Sequence, residues 1–414
     1  MVMRVSTLQQ FNNGVNGILN NQATVNRTQQ QISSGRRVLT PADDPVAATR
    51  ILQLQQDVAL REQYEKNLIA GRNHLNLEEA TLVSVKENLQ RVRELTVQAG
   101  NGSMTADDRG FIAAEIEERL AALVDLLNTK NASNVYIFSG FKGETIPFQE
   151  RPGGGYTFQG DEGQRELQIS AGAKVKTNDS GETLFVDIPS VKNTFFTYDN
   201  PENQGSAFIN VGYVADQDEF DSLYPEDFYI EFNADSAVTP PRENYTIRRR
   251  SDDRPVDGLS NINYAPGSEI RFAGVAVKVT GNPEPGDTFF VQSSEKQSLT
   301  DTISMLVEGL NAFPDTPAGA EQAAELVAIS LDNIDATLTT VSTVRSEIGA
   351  RLNSIDSIDN FQQDLELVSQ EILSTLQDLD FAEAVSRLSL ESFLLEASQQ
   401  SYTRISNLSL FNQL

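Results

Sequence analysis

"SSGRRVLTPADDPVAATR", residues 33–50, separates two long helical patterns, and its reading decides how the chain is built. An acidic pair beside arginines suits an acid/base or metal site, but such work needs a cleft and a partner group. Local backbone chemistry accounts for the same residues without catalysis. Gly35 fits the left-handed position that closes a helix. Pro45 fits the first position of the next helix, where its missing N–H costs nothing. Asp44 then falls at the N-cap, accepting orphan backbone N–H groups at the positive end of the dipole. Asp43 is left to meet Arg36 or Arg37. Gly35, Arg36, Arg37, Asp43, Asp44 and Pro45 are therefore read as a hinge between two helices.

Upstream of the hinge, Leu8, Phe11, Val15, Ile18, Gln22, Val25, Gln29 and Ile32 alternate at spacings of three and four. This is an a/d heptad seam. Two of its positions are Gln, so it is weak. Each buried apolar residue contributes ~1.5–3 kcal/mol, while ordering each residue costs ~1–2 kcal/mol of backbone entropy. A single helix pair barely breaks even, and a lateral assembly with several neighbours does better. Downstream, a second helix is expected over about 45–99, its seam running from Tyr64 through Leu68, Gly71, Leu75, Glu78, Leu82, Val85 and Leu89 to Val92 and its end at Gly100. Thr105 and Asp108 form a capping-box pattern before a third helix.

The texture changes near Tyr136. Short alternating runs separated by Gly, Pro, Asn and Asp fill residues 136–297. In "IRFAGVAVKVTGNPEPGDTFFVQ", residues 270–292, a bulge at Gly274 is expected between two runs. "GNPEPGD" reads as the hairpin turn from which Phe289 and Val291 return. "RPGGGYTFQG", residues 151–160, reads as a tight turn between short strands. Helical periods resume from about 298. Ile348, Leu352, Ile355, Phe361, Leu365, Val368, Ile372, Leu376 and Leu379 lie near heptad spacing, with an interruption at "LQDLDFAEA". A last helix carries Val385, Leu388, Leu395, Tyr402, Ile405, Leu408, Phe411 and Leu414. The expected fold is α+β: an elongated antiparallel helical bundle, or coiled coil, built from both chain ends, with an inserted β-rich domain. Its parts are 1–44 with 380–414 as terminal helices, 45–140 with 298–379 as a helical bundle, and 141–297 as β-rich.

Composition narrows the function. The 414 residues carry a net charge of −27, which disfavours nucleic acid and an anionic membrane surface as partners. The first 42 residues hold Arg4, Arg27, Arg36 and Arg37 and no acid, whereas the C-terminal part is acidic, a distribution that favours pairing of the two ends. There is no cysteine, so disulfides, thiol nucleophiles and thiolate metal sites are excluded. No run is apolar enough to span a bilayer. "MVMRVSTLQQFNNG" lacks the apolar core of a cleaved signal, so export, if any, is expected to need none.

Candidate chemistry is sparse. His74 is the one histidine, beside the seam residue Leu75, which leaves no zinc motif and no His-based triad. "DQDEFDSLYPED", Asp216–Asp227, has acids at calcium-loop positions one, three and twelve but Phe at five and no turn glycine. It reads as a solvated acidic loop. "RRRSDDR", Arg248–Arg254, mixes both signs and reads as surface charge. The glycines at 153–155 and 281–286 read as hairpin turns, because neither cluster has a phosphate-cradle pattern. No catalytic residue, cofactor or metal is expected. The alternative is an enzyme in the β-rich domain using Asp216 or Glu219.

Five segments carry a resemblance. "ISSGRRVLTPADDPVAATR" (32–50) and "QAGNGSMTADDRGFIAAEI" (98–116) resemble the flagellin family's N-terminal helical motifs. "NVYIFSGFKGETIPF" (134–148), "FAGVAVKVTGNPEPGDTFFV" (272–291) and "NLSLFNQL" (407–414) are similar to the subunits of that family that join hook to filament, rather than to the filament subunit. The resemblance implies a non-enzymatic adaptor in an extracellular bacterial flagellum, exported by the flagellar type III apparatus without a cleaved signal. It implies a ring of subunits, with the preceding hook-associated protein and flagellin as neighbours and an export chaperone on the C-terminal helix, about 375–414. It also implies that the terminal helices order only on assembly, which the weak seam suits. The alternative within the family is filament flagellin itself. Residues 156–264 carry no resemblance.

Overall fold

The computed structural model describes residues 7–411, with side chains described from Gln9 to Arg404 apart from Gln10. Among the described residues seven α-helices are present: α1 (Thr7–Ser34), α2 (Pro45–Ala99), α3 (Ala106–Leu127), α4 (Gln217–Leu223), α5 (Leu299–Ala312), α6 (Pro317–Gln377) and α7 (Phe381–Phe411). Thirteen strands lie between α3 and α5: β1 (Phe148–Glu150), β2 (Tyr156–Phe158), β3 (Glu166–Gln168), β4 (Lys174–Lys176), β5 (Ile188–Asp199), β6 (Phe208–Ile209), β7 (Tyr213–Val214), β8 (Phe228–Asn233), β9 (Asn244–Arg249), β10 (Ile262–Asn263), β11 (Glu269–Phe272), β12 (Val275–Thr280) and β13 (Thr288–Gln297). The fold is α+β, with helices at both ends of the chain and strands between. Two compact units form: one from the segments up to Lys66 and from Ser357, the other from Asn67 to Asp356.

The Asn67–Asp356 unit has an apolar helical core. All eight expected α2 seam positions from Leu68 to Val92 are buried, including Leu68, Leu75, Leu82 and Leu89, which are fully enclosed. On α6 the fully buried Ile334, Val341, Ile348 and Ile355 recur every seven residues. Arg93 reaches Asp335 with two hydrogen bonds of 2.7 and 3.0 Å, Arg345 reaches Glu79 at 2.6 Å, and Arg72 reaches Asp356 at 3.0 Å. These pairs set α2 and α6 antiparallel. Being part-exposed, they fix register more than they stabilise. α3 starts at the expected capping box, with Thr105 and Asp108 bonding each other's backbone N–H groups.

The strands of this unit form a five-stranded antiparallel sheet in the order β10-β9-β8-β13-β5, a second sheet in the order β11-β12-β6 with β7 also on β12, and two hairpins, β1-β2 and β3-β4. The turn "RPGGG" joins β1 to β2 as expected, with Gly154 and Gly155 at positive φ. Two other expectations are corrected. Ala273 and Gly274 both have positive φ (49° and 75°) and Phe272 pairs with Val275, so the glycine closes a two-residue hairpin instead of forming a bulge. "GNPEPGD" is not a hairpin turn. β13 leaves β12 and pairs with β5 and β8 in the other sheet. The prolines at 283 and 285 lack the N–H groups that continued pairing would use.

The other unit follows a different pattern. On α6 the buried residues past Ile355 are Gln362, Ser369 and Gln377, still seven or eight apart but polar. Phe361, Val368 and Ile372, expected on the seam, are exposed by 59%, 51% and 45%. The seam therefore keeps its period, but the apolar residues leave it by one position. α6 stops at Gln377 and α7 starts at Phe381, at the expected interruption.

Candidate assembly surface

The hinge is held by backbone chemistry and by a second helix break. Gly35 adopts φ +70° and ends α1. Its carbonyl accepts from Leu379 N at 3.0 Å, while Arg37 N donates to the Gln377 carbonyl at 2.8 Å. Arg36 and Asp378 face each other as an antiparallel bridge. The gap after α1 is thus laced to the gap between α6 and α7. Each gap supplies hydrogen-bond partners for the other's freed backbone groups.

Asp44 accepts from Ala47 N at 3.0 Å, as an N-cap does, with Pro45 opening α2. Asp43 departs from the expectation that it meets Arg36 or Arg37. It pairs with Arg27 of α1, and its other oxygen accepts from Leu39 N at 3.1 Å and Thr40 N at 2.8 Å. The Thr40 N–H, with the Leu39 N–H and the Arg27 charge, holds its carboxyl below the usual range. Arg37 instead donates to the Leu376 carbonyl at 3.0 Å and stands 3.8 Å from Asp44. The reason is reach: once Gly35 turns the chain, the Arg36 and Arg37 backbone is committed to 377–379. The carboxylate of Asp43 is consumed as a loop clasp.

α1 packs antiparallel on α7. Asn21 donates to Ser398 Oγ at 2.8 Å, and Arg387 donates to Gln31 Oε1 at 3.0 Å. A Cβ on Gly14 would lie 2.8 Å from the Tyr402 ring, so the glycine makes the notch in which that ring sits. The line of α1 toward α7 is thus Gly14, Ile18, Asn21, Val25, Thr28, Ile32 and Gly35. Three of the eight expected seam residues, Ile18, Val25 and Ile32, lie on it. Val15, Gln22 and Gln29 sit one position off: Val15 is half-buried, while Gln22 and Gln29 are exposed. Phe11 touches Tyr402 at 5.4 Å between ring centroids yet keeps 50% of its surface exposed.

On α7 the inner line is Ala384, Leu388, Glu391, Leu395, Ser398 and Tyr402. Ala384 is fully buried, and Val385, expected on the seam, is 51% exposed. The side chains of Leu8, Ile405, Leu408 and Phe411, and all of Leu414, lie outside the described residues. Missed by sequence reasoning are the exposed Leu390, Phe393 and Leu394 of α7 and Leu19 of α1. A helical period offers no sign of which of two adjacent apolar lines faces in.

The unit of chain ends buries the polar Thr28, Gln31, Gln362 and Ser369 beside the apolar Ala47, Ile51, Tyr64, Leu379 and Ala384, and presents Phe361, Val368, Ile372, Val385, Leu390, Phe393 and Leu394. Most of the exposed large apolar side chains among the described residues belong to it. These exposed apolar side chains make the unit the candidate interaction face.

The other candidates have ordinary roles. Asp216 caps α4 through Glu219 N at 3.0 Å. Among the described residues no cluster of His, Asp or Glu is placed to hold a metal ion. No described helix is long and apolar enough to cross a membrane. His74 is half-buried, and burial, with the Arg165 charge, lowers its pKa.

A helical unit of both chain ends, with apolar residues turned outward and a β-rich segment between the ends, defines a class. The family model of the bacterial flagellin N-terminal helical region matches residues 5–142, and that of the C-terminal helical region matches residues 331–414. The chain belongs to the flagellin family. Within it, the chain is 25% identical over 413 residues to Flagellar hook-associated protein 3 of Escherichia coli, covering 99% of each. It is 24% identical over 409 residues to the protein of the same name in Salmonella typhimurium, again covering 99% of each. The crystal structure of flagellar hook-associated protein 3 from Legionella pneumophila superposes with a TM-score of 0.52 at 29% identity, over 79% of this chain and 98% of that one.

Proposed function

We propose that this chain is a structural subunit of the bacterial flagellum, serving at the junction of hook and filament. The full-length likeness to hook-associated protein 3 supports the place. The observation that carries the mechanism is the set of large apolar side chains that the unit of chain ends leaves exposed. Covering Val385, Leu390, Phe393 and Leu394 would contribute on the order of 5–10 kcal/mol, against ~4–15 kcal/mol lost in association. One neighbour only offsets that cost, whereas a ring or tube, in which each copy has several, gives a stable wall. Partners in this reading are other copies, the preceding hook-associated protein and flagellin. Before assembly, an export chaperone covers the C-terminal helix, about 375–414, and passage needs no cleaved signal. The β-rich segment has no catalytic duty.

The test uses a bacterium lacking its own copy. Wild-type chain should restore attached filaments and swimming. The double variant Phe393→Ser with Leu394→Ser should be exported yet leave filaments unattached. Full attachment by the double variant would overturn the assembly role of this face.

A further inference from the structure

Glu78 of α2 is 1% exposed, at a seam position flanked on the seam by the fully buried Leu75 and Leu82. Its Oε1 accepts from Asp179 N at 2.9 Å, and its Oε2 has no hydrogen-bond partner among the described residues. Asp179 belongs to a strap, residues 163–180, that carries the β3–β4 hairpin. The strap seats Ile169, Val175 and residues 177–180 in buried positions, and its polar ties converge on α2 and α6. Asn67 Nδ2 donates to the Gln168 carbonyl at 2.7 Å. Val175, 5% exposed, sits beside Gly71, 3.6 Å from where a Cβ there would stand. Arg351 of α6 grips Asp179 with two hydrogen bonds of 2.7 and 3.0 Å, and Gln164 adds one of 3.0 Å.

The charges facing Glu78 come from two elements. The strap brings Asp179 and Arg165. α6 brings Arg351, itself bonded to Glu347 at 3.1 Å. His74 lies one turn earlier on α2 and faces the same Arg165. Arg351 is engaged by Asp179 and Glu347, and Arg165 donates to the Tyr136 carbonyl at 3.2 Å. Among the described residues no cation makes a direct hydrogen bond to the Glu78 carboxyl. A neutral carboxyl fits this pocket, whereas a carboxylate would lack a partner and face Asp179.

We propose that Glu78 is the latch of a pH-operated strap: residues 163–180 stay seated on α2 while its carboxyl holds a proton and lift when the proton is lost. Burial, reinforced by the Asp179 charge, pushes the carboxyl up to about 8, against 4.5 in the open. The sign follows. The seated state holds the proton more tightly, so its advantage is complete below pH 4.5 and is lost as pH rises toward 8. Between those limits the seated-to-open ratio falls about tenfold per pH unit. Above pH 8 both states are ionised and the ratio levels.

Hydrogen exchange of strap peptides in the full chain tests this. Wild type and Glu78→Gln are compared at matched pH, so intrinsic exchange cancels. The strap's exchange in wild type relative to the variant should rise at least a hundredfold between pH 5.5 and pH 8. A ratio flat with pH overturns the latch. Should Glu78→Gln fail to fold, wild type alone decides: strap exchange is referred to that of α3 in the same sample. Strap and α3 peptides accelerating in step would equally overturn it.

Discussion

Replacing Asp43 by alanine should loosen the hinge by an amount that the geometry sets. Its half-buried carboxylate accepts from Leu39 N and Thr40 N and pairs with Arg27. A hydrogen bond to a charged group contributes ~1.5–3 kcal/mol, and a part-exposed ion pair ~0.2–1 kcal/mol. Solvent access discounts each, so we expect ~2 kcal/mol lost from closure of residues 35–44, with Asp43→Asn losing about half. The loop carries Arg36 and Arg37, so native-state trypsin cleavage reports its opening. Where opening is fast relative to cleavage, 2 kcal/mol corresponds to roughly 30-fold faster cutting. Asp43 titrates below its ordinary value, so its contribution is present above the unfolded pKa and is lost as pH falls through the lower folded one. Hydrogen exchange of residues 36–44 should therefore separate wild type from variant at pH 5–7, and the gap should close only below about pH 4. A cleavage change under about threefold, or a gap that closes near pH 6, would refute the clasp.

Asp44→Ala should cost ~0.5–2 kcal/mol as a lost cap, seen as faster exchange in the first turn of α2, near Ala47. Leu82→Ala removes a fully buried seam residue and should lower unfolding free energy by ~2–5 kcal/mol in urea, without changing the m-value. Gly14→Ala sets a helix gain of ~0.5–1 kcal/mol against crowding of the Tyr402 ring that costs ~1–3 kcal/mol. The net expectation is faster exchange in α7 around Ser398–Tyr402, and slower exchange there would place that ring elsewhere.

What could be read in advance follows from how local the physics is. The α2 seam was legible because leucines recur every seven residues over a long stretch. The Asp44–Pro45 helix start was legible because caps act across three residues. The Asp43–Arg27 pair was not, because nothing in sequence says which of several arginines a folded loop brings near. The α1 line was misplaced by one residue where Gly14, Asn21 and Thr28 do not look like seam residues. Gly14 and Asn21 serve because Tyr402 and Ser398, far along the chain, supply the matching shape and polarity. "GNPEPGD" looked like a hairpin turn because the choice of sheet by β13 depends on β5 and β8. The outward apolar residues of α6 and α7 were legible as apolar but not as outward.

The central claim concerns place, and tagging the chain in its own bacterium tests it most directly. Electron cryo-microscopy of isolated flagella, with the tag displayed on the β-rich segment, should locate it in a single band where hook meets filament. Label distributed along the filament would contradict the junction assignment and make the chain a filament subunit, and intact flagella without label would contradict a structural role.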